Sequence, residues 1–349
     1  MKICIRFFLI FICLCLLLTT GCRREEAAPG YEKVEKTGYM MGTVVTLKVY
    51  VADAGKGNEA IDKAFARIGE IESLMSLNSE NSEVGRINEM AGIEPVKVSD
   101  DTLKVIQKGI YYGELSNGLF DISVGPLVQL WGIGTEHPKV PGGSDLEKAI
   151  SLVDYRDIKV DEKSREIFLG KAGMVVDLGG IAKGYAADEV KKIMVDEGIE
   201  YAIINLGGNV LAVGGKYDGG PWNIGIQDPY APTGSSMGVV RIEDKTVVTS
   251  GDYERYFEEN GKRYHHILNP KTGYPEENRI KGVTIIASSS FDADALSTTV
   301  FLLGVDRGLE LVEKLDGVEA IMITHDREVI VSSGIGDTFS IQNNKYKMK

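Results

Sequence analysis

Asp294 and Thr298 lie four residues apart in the run Asp292-Ala293-Asp294-Ala295-Leu296-Ser297-Thr298-Thr299. On a helix that spacing puts a carboxylate and a hydroxyl on one face. Such a pair, completed by waters, suits Mg²⁺, a hard ion that takes oxygen ligands and keeps substrate phosphates among them. The plainer alternative is helix capping by Asp292 and a buried Thr298. A second segment, Asp177-Leu178-Gly179-Gly180-Ile181-Ala182-Lys183-Gly184, sits between an apolar strand signal at 174–176 and a helix signal. Its glycines let the backbone approach a ligand, a helix N-terminus offers free N–H groups to an anion, and Lys183 adds positive charge. This is phosphate-site chemistry without the P-loop or the dinucleotide-binding spacing. A tight strand-to-helix turn with a solvated lysine accounts for the same residues equally well.

Asn205-Leu206-Gly207-Gly208-Asn209 forms a second glycine-rich strand end. If its strand neighbours the one at 174–176, the two loops form a crevice of the kind ligands prefer. Otherwise it is turn chemistry. His266 precedes the apolar Ile267-Leu268 and the turn residues Asn269-Pro270, and is a candidate general base. A lone histidine is more often structural. Other templates fail. Gly234-Ser235-Ser236-Met237-Gly238 matches Gly-x-Ser-x-Gly, but Pro232 precedes it and a strand signal follows, where a hydrolase elbow needs a strand before and a helix after. There is no His-Glu-x-x-His, and four scattered histidines give no zinc spacing.

The elements that must position these residues are a mixture. Residues 43–51 alternate as a strand. Residues 58–77 have helical spacing through Ile61, Phe65, Ile68, Ile71 and Leu74. Ser99 caps a second helix through Leu115, stopped by Asn117-Gly118. Gly125-Pro126 breaks an apolar run, a helix starts at Ser144-Asp145, and 157–169 reads as a hairpin. A helix carries Tyr185, Val190 and Met194, and 201–204 is a buried strand. Short strands run to about residue 267. A strand at 283–287, helices at 292–303 and 307–315, and a hairpin around Asp326 close the chain. Strands and helices segregated in this uneven way indicate an α+β fold of mixed sheets with packed helices.

The N-terminus is an address. Lys2 and Arg6 precede an apolar stretch at 7–18, the length of a signal peptide and short for a membrane span. Thr19-Thr20-Gly21-Cys22 then resembles a bacterial lipoprotein signal, in which the cysteine is acylated and becomes residue one. The leucine usual three residues before the cysteine is Thr19 here, with Leu18 one place earlier. An ordinary cleaved signal with an incidental cysteine is the alternative. The cysteines are Cys4, Cys13, Cys15 and Cys22, so a chain cut after residue 21 keeps only Cys22 and has no disulfide. The net charge of −12, or −14 without Lys2 and Arg6, repels nucleic acid. No second apolar run is long enough to span a bilayer, which leaves a lipid as the anchor. The expected organisation is a signal at 1–21, a polar tether at 22–36 and one catalytic domain at 37–342.

Taken in order, six segments resemble the ApbE family of flavin transferases: Met40-Met41-Gly42-Thr43; residues 75–88 with Ser82-Glu83 and Arg86-Ile87-Asn88; Phe120-Asp121-Ile122-Ser123 with Gly125-Pro126; residues 177–184; residues 205–208; and residues 266–273 followed by 294–298. The resemblance spans about residues 38–340 and implies an ApbE-like, T-fold-related domain. It also implies an activity: FAD is bound with Mg²⁺, its pyrophosphate is split, AMP leaves, and FMN is joined through a phosphoester to a threonine of an acceptor protein. It implies that Met41, Asn78, Leu119, Phe120, Asp121, Asp177, Lys183 and His266 contact FAD. Asp294 and Thr298 would hold the metal with backbone carbonyls near Gly180 to Ala182, and His266 and Asp294 would be catalytic. The acceptor would be a membrane redox-complex subunit or an FMN-binding-domain protein on the extracytoplasmic face. After Met75-Ser76-Leu77 the family often carries an aromatic residue suited to stacking on a ring; here it is Asn78. FAD hydrolysis to FMN and AMP is therefore an alternative, and a non-catalytic flavin-binding lipoprotein is another.

Overall fold

The structure, a computed structural model, describes residues 30–349 apart from 78 and 80. The signal at 1–21, Cys22 and Asn78 lie outside the described residues.

The chain opens with the antiparallel pair β1 (Glu32–Met40) and β2 (Thr43–Val51). α1 (Ala54–Met75) buries Ile61, Ile68 and Ile71 on the face its spacing dictates. α2 (Glu83–Glu89), β3 (Val96–Lys97) and α3 (Asp100–Leu115) follow, the last capped by Ser99, whose hydroxyl accepts from Thr102 N. α4 (Gly125–Trp131) has Pro126 in its first turn, where the missing N–H costs nothing. Next come α5 (Gly143–Ile150), the hairpin β4 (Ile158–Asp161) and β5 (Glu166–Leu169), and α6 (Ala182–Asp196). A run of strands follows: β6 (Ala202–Leu206), β7 (Asn209–Val213), β8 (Trp222–Gln227), β9 (Ser236–Ile242), β10 (Thr246–Gly251), β11 (Tyr256–Glu259), β12 (Lys262–His265) and β13 (Ile280–Ala287). α7 (Ser290–Val312) leads into β14 (Glu319–Thr324), β15 (Glu328–Val331), β16 (Phe339–Ile341) and β17 (Lys347–Met348).

Nine strands form one sheet in the order β1-β2-β6-β7-β10-β13-β14-β15-β17, antiparallel except for the last pair. Both faces are covered, so β13 is buried along its whole length. Alternate residues serve two cores. Val283 and Ile285 face the helices with Val45, Leu47 and Val49, whereas Ile286 joins Trp222, Met237 and Val240 of the β16-β9-β8 sheet. The mixed antiparallel sheets with packed helices are the α+β class. The Gly-x-Ser-x-Gly match runs into β9 and forms no nucleophile elbow.

Four expectations change. Residues 32–36, read as the end of a tether, begin β1 and pair with β2 from Glu32↔Val51 to Lys36↔Leu47. They are polar because β1 is an edge strand, where charge blocks further pairing. At the other end, β17 carries the domain past residue 342, pairing with β15 at Glu328↔Lys347. Residues 174–176 are not a strand but a single bridge between Val175 and Val124. The Asn88 side chain takes both main-chain groups of Val176, accepting from its N–H at 2.7 Å and donating to its C=O at 3.1 Å. The helices expected at 292–303 and 307–315 are one element, α7, broken at Gly304 (φ 78°, ψ 177°).

α6 and α7 are locked together, and this fixes the site. Asp188 of α6 accepts from Ser290 N (2.9 Å), Phe291 N (3.0 Å) and Ser289 Oγ (3.1 Å) at the start of α7. A carboxylate there satisfies orphan N–H groups and complements the helix dipole. The helices touch at Gly184, where an added Cβ would stand 2.2 Å from Ser290 O and 2.7 Å from Asp294 Cβ. Gly184→Ala is expected to push the helices apart, cost about 1–3 kcal/mol, and lower the thermal midpoint together with activity. Calorimetry of the purified variant checks this, and an unchanged midpoint refutes the close-packing argument.

Candidate active site

One cavity of about 270 Å³ gathers Leu119, Phe120, Asp121, Asp177, Gly180, Lys183, His266, Asp294 and Thr298, residues spread across 180 positions of chain. The two glycine-rich loops meet there as expected, with Gly179 and Gly180 on one side and Gly207 and Asn209 on the other. They do so without belonging to neighbouring strands, since β6 pairs with β2 and β7.

At one wall, Asp294 is almost fully buried at the start of α7. Its Oδ2 accepts from Gly184 N at 2.9 Å, and its Oδ1 faces Lys183 Nζ at 3.7 Å, beyond hydrogen-bond reach. Lys183 is held instead by donating to Gly179 O at 3.0 Å. One turn on, Thr298 Oγ1 stands 3.3 Å from Ser250 Oγ and borders the bare Cα of Gly180. The side-chain donors are a carboxylate oxygen without a close partner and a hydroxyl, beside the Gly180 backbone. Among the described residues no cluster of three His, Cys, Asp or Glu side chains is present. Such a set fits a hard ion that keeps water and substrate oxygens, and not a metal caged by protein.

Asp177 accepts from Gly179 N at 2.7 Å, shaping the turn before α6. Burial pushes its carboxyl up, against the pull of Lys183 and Arg255. Asp121 faces inward. Its Oδ1 accepts from Ser123 N (2.8 Å) and Oγ (2.6 Å), and its Oδ2 from Tyr155 N (2.9 Å). Burial raises its carboxyl while those bonds lower it. These bonds fasten the segment that carries Phe120, and the residue stays on the cavity lining.

His266 Nδ1 lies 3.2 Å from Arg255 O. A carbonyl only accepts, so Nδ1 carries the proton and Nε2 keeps its lone pair. Burial, with the Arg255 guanidinium second, pushes this imidazole down to about 3. It is neutral across the physiological range.

Two expected residues lie elsewhere. Met41 turns the β1–β2 hairpin with φ 51°, its N–H donating to Glu72 Oε1 at 2.7 Å, and does not line the cavity. Ala182 is the buried first residue of α6, and also off the lining. Three residues were missed. Arg255 and Glu254 line the cavity from the β10–β11 connection, and Ser250 from β10. Among the described residues nothing pairs with the Arg255 guanidinium by hydrogen bond or salt bridge. In sequence they sit in Ser250-Gly251-Asp252-Tyr253-Glu254-Arg255, a strand end and charged turn with no spacing to mark it. Asn209 carries a further signal: its Oδ1 accepts from Ser290 Oγ at 2.7 Å, and its buried Nδ2 has no partner.

The family model described as the ApbE family matches residues 41–322. The chain belongs to the ApbE family. It is 37% identical over 309 residues to an FAD:protein FMN transferase of Klebsiella pneumoniae, covering 88% of this chain and 95% of the relative. It is 32% identical over 353 residues to one of Treponema pallidum, covering 97% of each. Among solved structures, the ApbE protein of Thermotoga maritima superposes with a TM-score of 0.80 at 32% identity, and the flavin transferase ApbE of Vibrio cholerae with 0.79 at 30%. Each superposition covers 88% of this chain and 99% of that structure. As in the sequence reading, the ApbE resemblance spans the domain and the fold is the ApbE fold.

Proposed function

We propose that this flavin transferase of the ApbE family moves FMN from FAD to a threonine hydroxyl of an extracytoplasmic redox protein, with Mg²⁺ bound and AMP released. The observation that carries it is one cavity in which Asp294, Thr298, Lys183 and Gly180 face a neutral His266. Asp294, Thr298 and backbone near Gly180 would hold Mg²⁺, which would offset the pyrophosphate charge that repels a nucleophile. Lys183, Arg255 and the glycine backbone hold the phosphates in place. His266 Nε2 takes the threonine proton as the hydroxyl oxygen bonds to the FMN phosphorus. The bond from that phosphorus to the bridging oxygen breaks, and AMP leaves with that oxygen. Lipidation at Cys22 would hold the enzyme on the outer face of the membrane, beside an anchored acceptor.

The test is incubation of the purified protein with FAD, Mg²⁺ and threonine-bearing FMN-domain proteins. The expected result is a mass gain of one FMN on a threonine, with equimolar AMP. No gain on any acceptor tells against the proposal. Asn78, in place of an aromatic, favours a second reading, FAD hydrolysis. Catalytic release of FMN and AMP without acceptor is its signature.

Arg255→Ala is expected to raise KM for FAD about tenfold, the effect of roughly one charge-assisted contact. The thermal midpoint should not fall, because no side-chain partner is lost. A KM unchanged within twofold removes Arg255 from the phosphate site.

A further inference from the structure

Beside the catalytic cavity lies a larger cleft of about 960 Å³. Gly207 and Glu254 line both. Two short segments, residues 253–255 and 265–266, contribute side chains to both. His265 lines the cleft and its neighbour His266 the catalytic cavity; in the turn before β11, Tyr253 lines the cleft, Arg255 the catalytic cavity and Glu254 between them both. Successive side chains of an extended chain point to opposite sides, so the wall that presents the base is also a wall of the cleft. At the border the backbone is bare. Gly208 has φ 95°, and a Cβ built there meets nothing within 4 Å.

The rim has the composition of a protein interface. Tyr39 is 75% exposed and Val44 55%, and they are cross-strand partners at the end of the β1–β2 hairpin. They adjoin the border directly, because Gly207 N donates to Val44 O at 3.1 Å. Tyr230 and Tyr256, both exposed, line the cleft. Each carries an arginine over its ring, Arg327 at 4.3 Å and Arg263 at 3.9 Å. Tyrosine and arginine are the residues enriched where proteins bind proteins, and adjacent exposed apolar side chains mark such surfaces. At the floor, Asp252 and Lys281 pair at 2.6 Å, so the deepest charges neutralise each other.

We propose that this cleft is the docking site of the acceptor protein, which lays an extended segment along it and passes its threonine across the Gly207–Glu254 border to His266. The inference rests on the flavin-transfer reading and adds to it the face by which the second substrate enters. FAD then occupies one side of the border and the acceptor the other, so the two substrates bind without competing.

Two variants outside the catalytic cavity test it. Thr233 is exposed on the cleft wall, and Thr233→Trp plugs the cleft. Tyr39→Ser removes the apolar rim without touching the cleft floor. The probe is a threonine-bearing FMN-domain protein, with acceptor affinity measured by calorimetry and transfer by mass spectrometry. Each variant is expected to weaken acceptor binding and raise its KM tenfold or more, leaving FAD affinity within twofold of wild type. Unchanged acceptor affinity in both variants overturns the docking site, whether or not transfer occurs. Absence of transfer by the wild-type protein, with acceptor affinity still lost in the variants, overturns the flavin-transfer reading and keeps the docking face.

Discussion

Asp294→Asn is expected to cut turnover by about a thousandfold or more, roughly 4 kcal/mol of transition-state stabilisation, while FAD still binds. The substitution is chosen for what it preserves. Asp294 Oδ2 accepts from Gly184 N, and an amide oxygen can do the same, so α6 and α7 stay docked. What goes is the second, negative oxygen opposite Lys183. In its place an amide NH₂ presents protons to an ammonium, and neither attracts a cation. On the proposed reading the variant loses Mg²⁺ affinity and with it the charge compensation that phosphoryl transfer requires. Phe120, Asp177 and the glycine loops are untouched, so FAD affinity should fall much less than turnover. Magnesium titration by calorimetry, FAD binding by fluorescence and turnover separate the three effects. Turnover within tenfold of wild type would remove Asp294 from the metal site. A lowered thermal midpoint with all three quantities reduced together would make the residue structural.

The elements were legible where local chemistry decides them. β2 falls on residues 43–51, Ser99 caps α3, and Asp161 turns the β4–β5 hairpin through bonds from Lys163 N (2.9 Å) and Ser164 N (3.1 Å). These depend on neighbours a few residues away, and the sequence states them. The sheet order does not. β10 pairs with β7 and β13, and β2 with β6, across more than 150 residues. Nothing in the alternation of one strand names its partner. The largely charged run at 32–36 reads as outside the fold because an edge strand and a tether share a composition. The bridge at Val175 shows the reverse failure. An apolar triplet there reads as a strand, yet a distant side chain, Asn88, takes both main-chain groups of Val176.

The site divides along the same line. Asp294 with Thr298 and the loop at 177–184 are local patterns, visible as spacing. Arg255 and Glu254 become site residues only through the fold, in which Arg255 O meets both His266 N and its ring from across the β11–β12 ribbon. Asp121 teaches a further point. It lines the cavity as its place beside Phe120 suggests, and its oxygens also hold Ser123 and Tyr155. Residue type and position suggest a contact, and the hydrogen-bond partners decide whether the group is free to make it.

His266→Gln is the second large effect expected, a loss of about 10²–10⁴ in transfer rate, the usual worth of a positioned base. The pH dependence tests the role more sharply than the rate. The free imidazole is held down to about 3, so the base form persists through the whole working range. kcat/KM, which reports the free enzyme, should then show no His266-linked acid limb between pH 5 and 8. An anionic pyrophosphate beside Arg255 would offset part of the guanidinium's effect and raise the imidazole in the complex. An acid limb in kcat, absent from kcat/KM and lost in His266→Gln, is the signature of a base whose strength rises only when substrate is bound. Stability gives an independent reading. An unfolded histidine titrates near 6.5, so between that value and about 3 the unfolded chain binds one more proton than the folded one. Folding stability must therefore fall as pH drops through this window. His266→Gln should escape that loss, by on the order of 1 kcal/mol between pH 7 and pH 5 after allowing for the half-buried ring. Denaturant melts of both proteins at the two pH values measure it. No difference between the two proteins would mean an exposed histidine of ordinary acidity and would overturn the depressed imidazole on which the pH prediction rests.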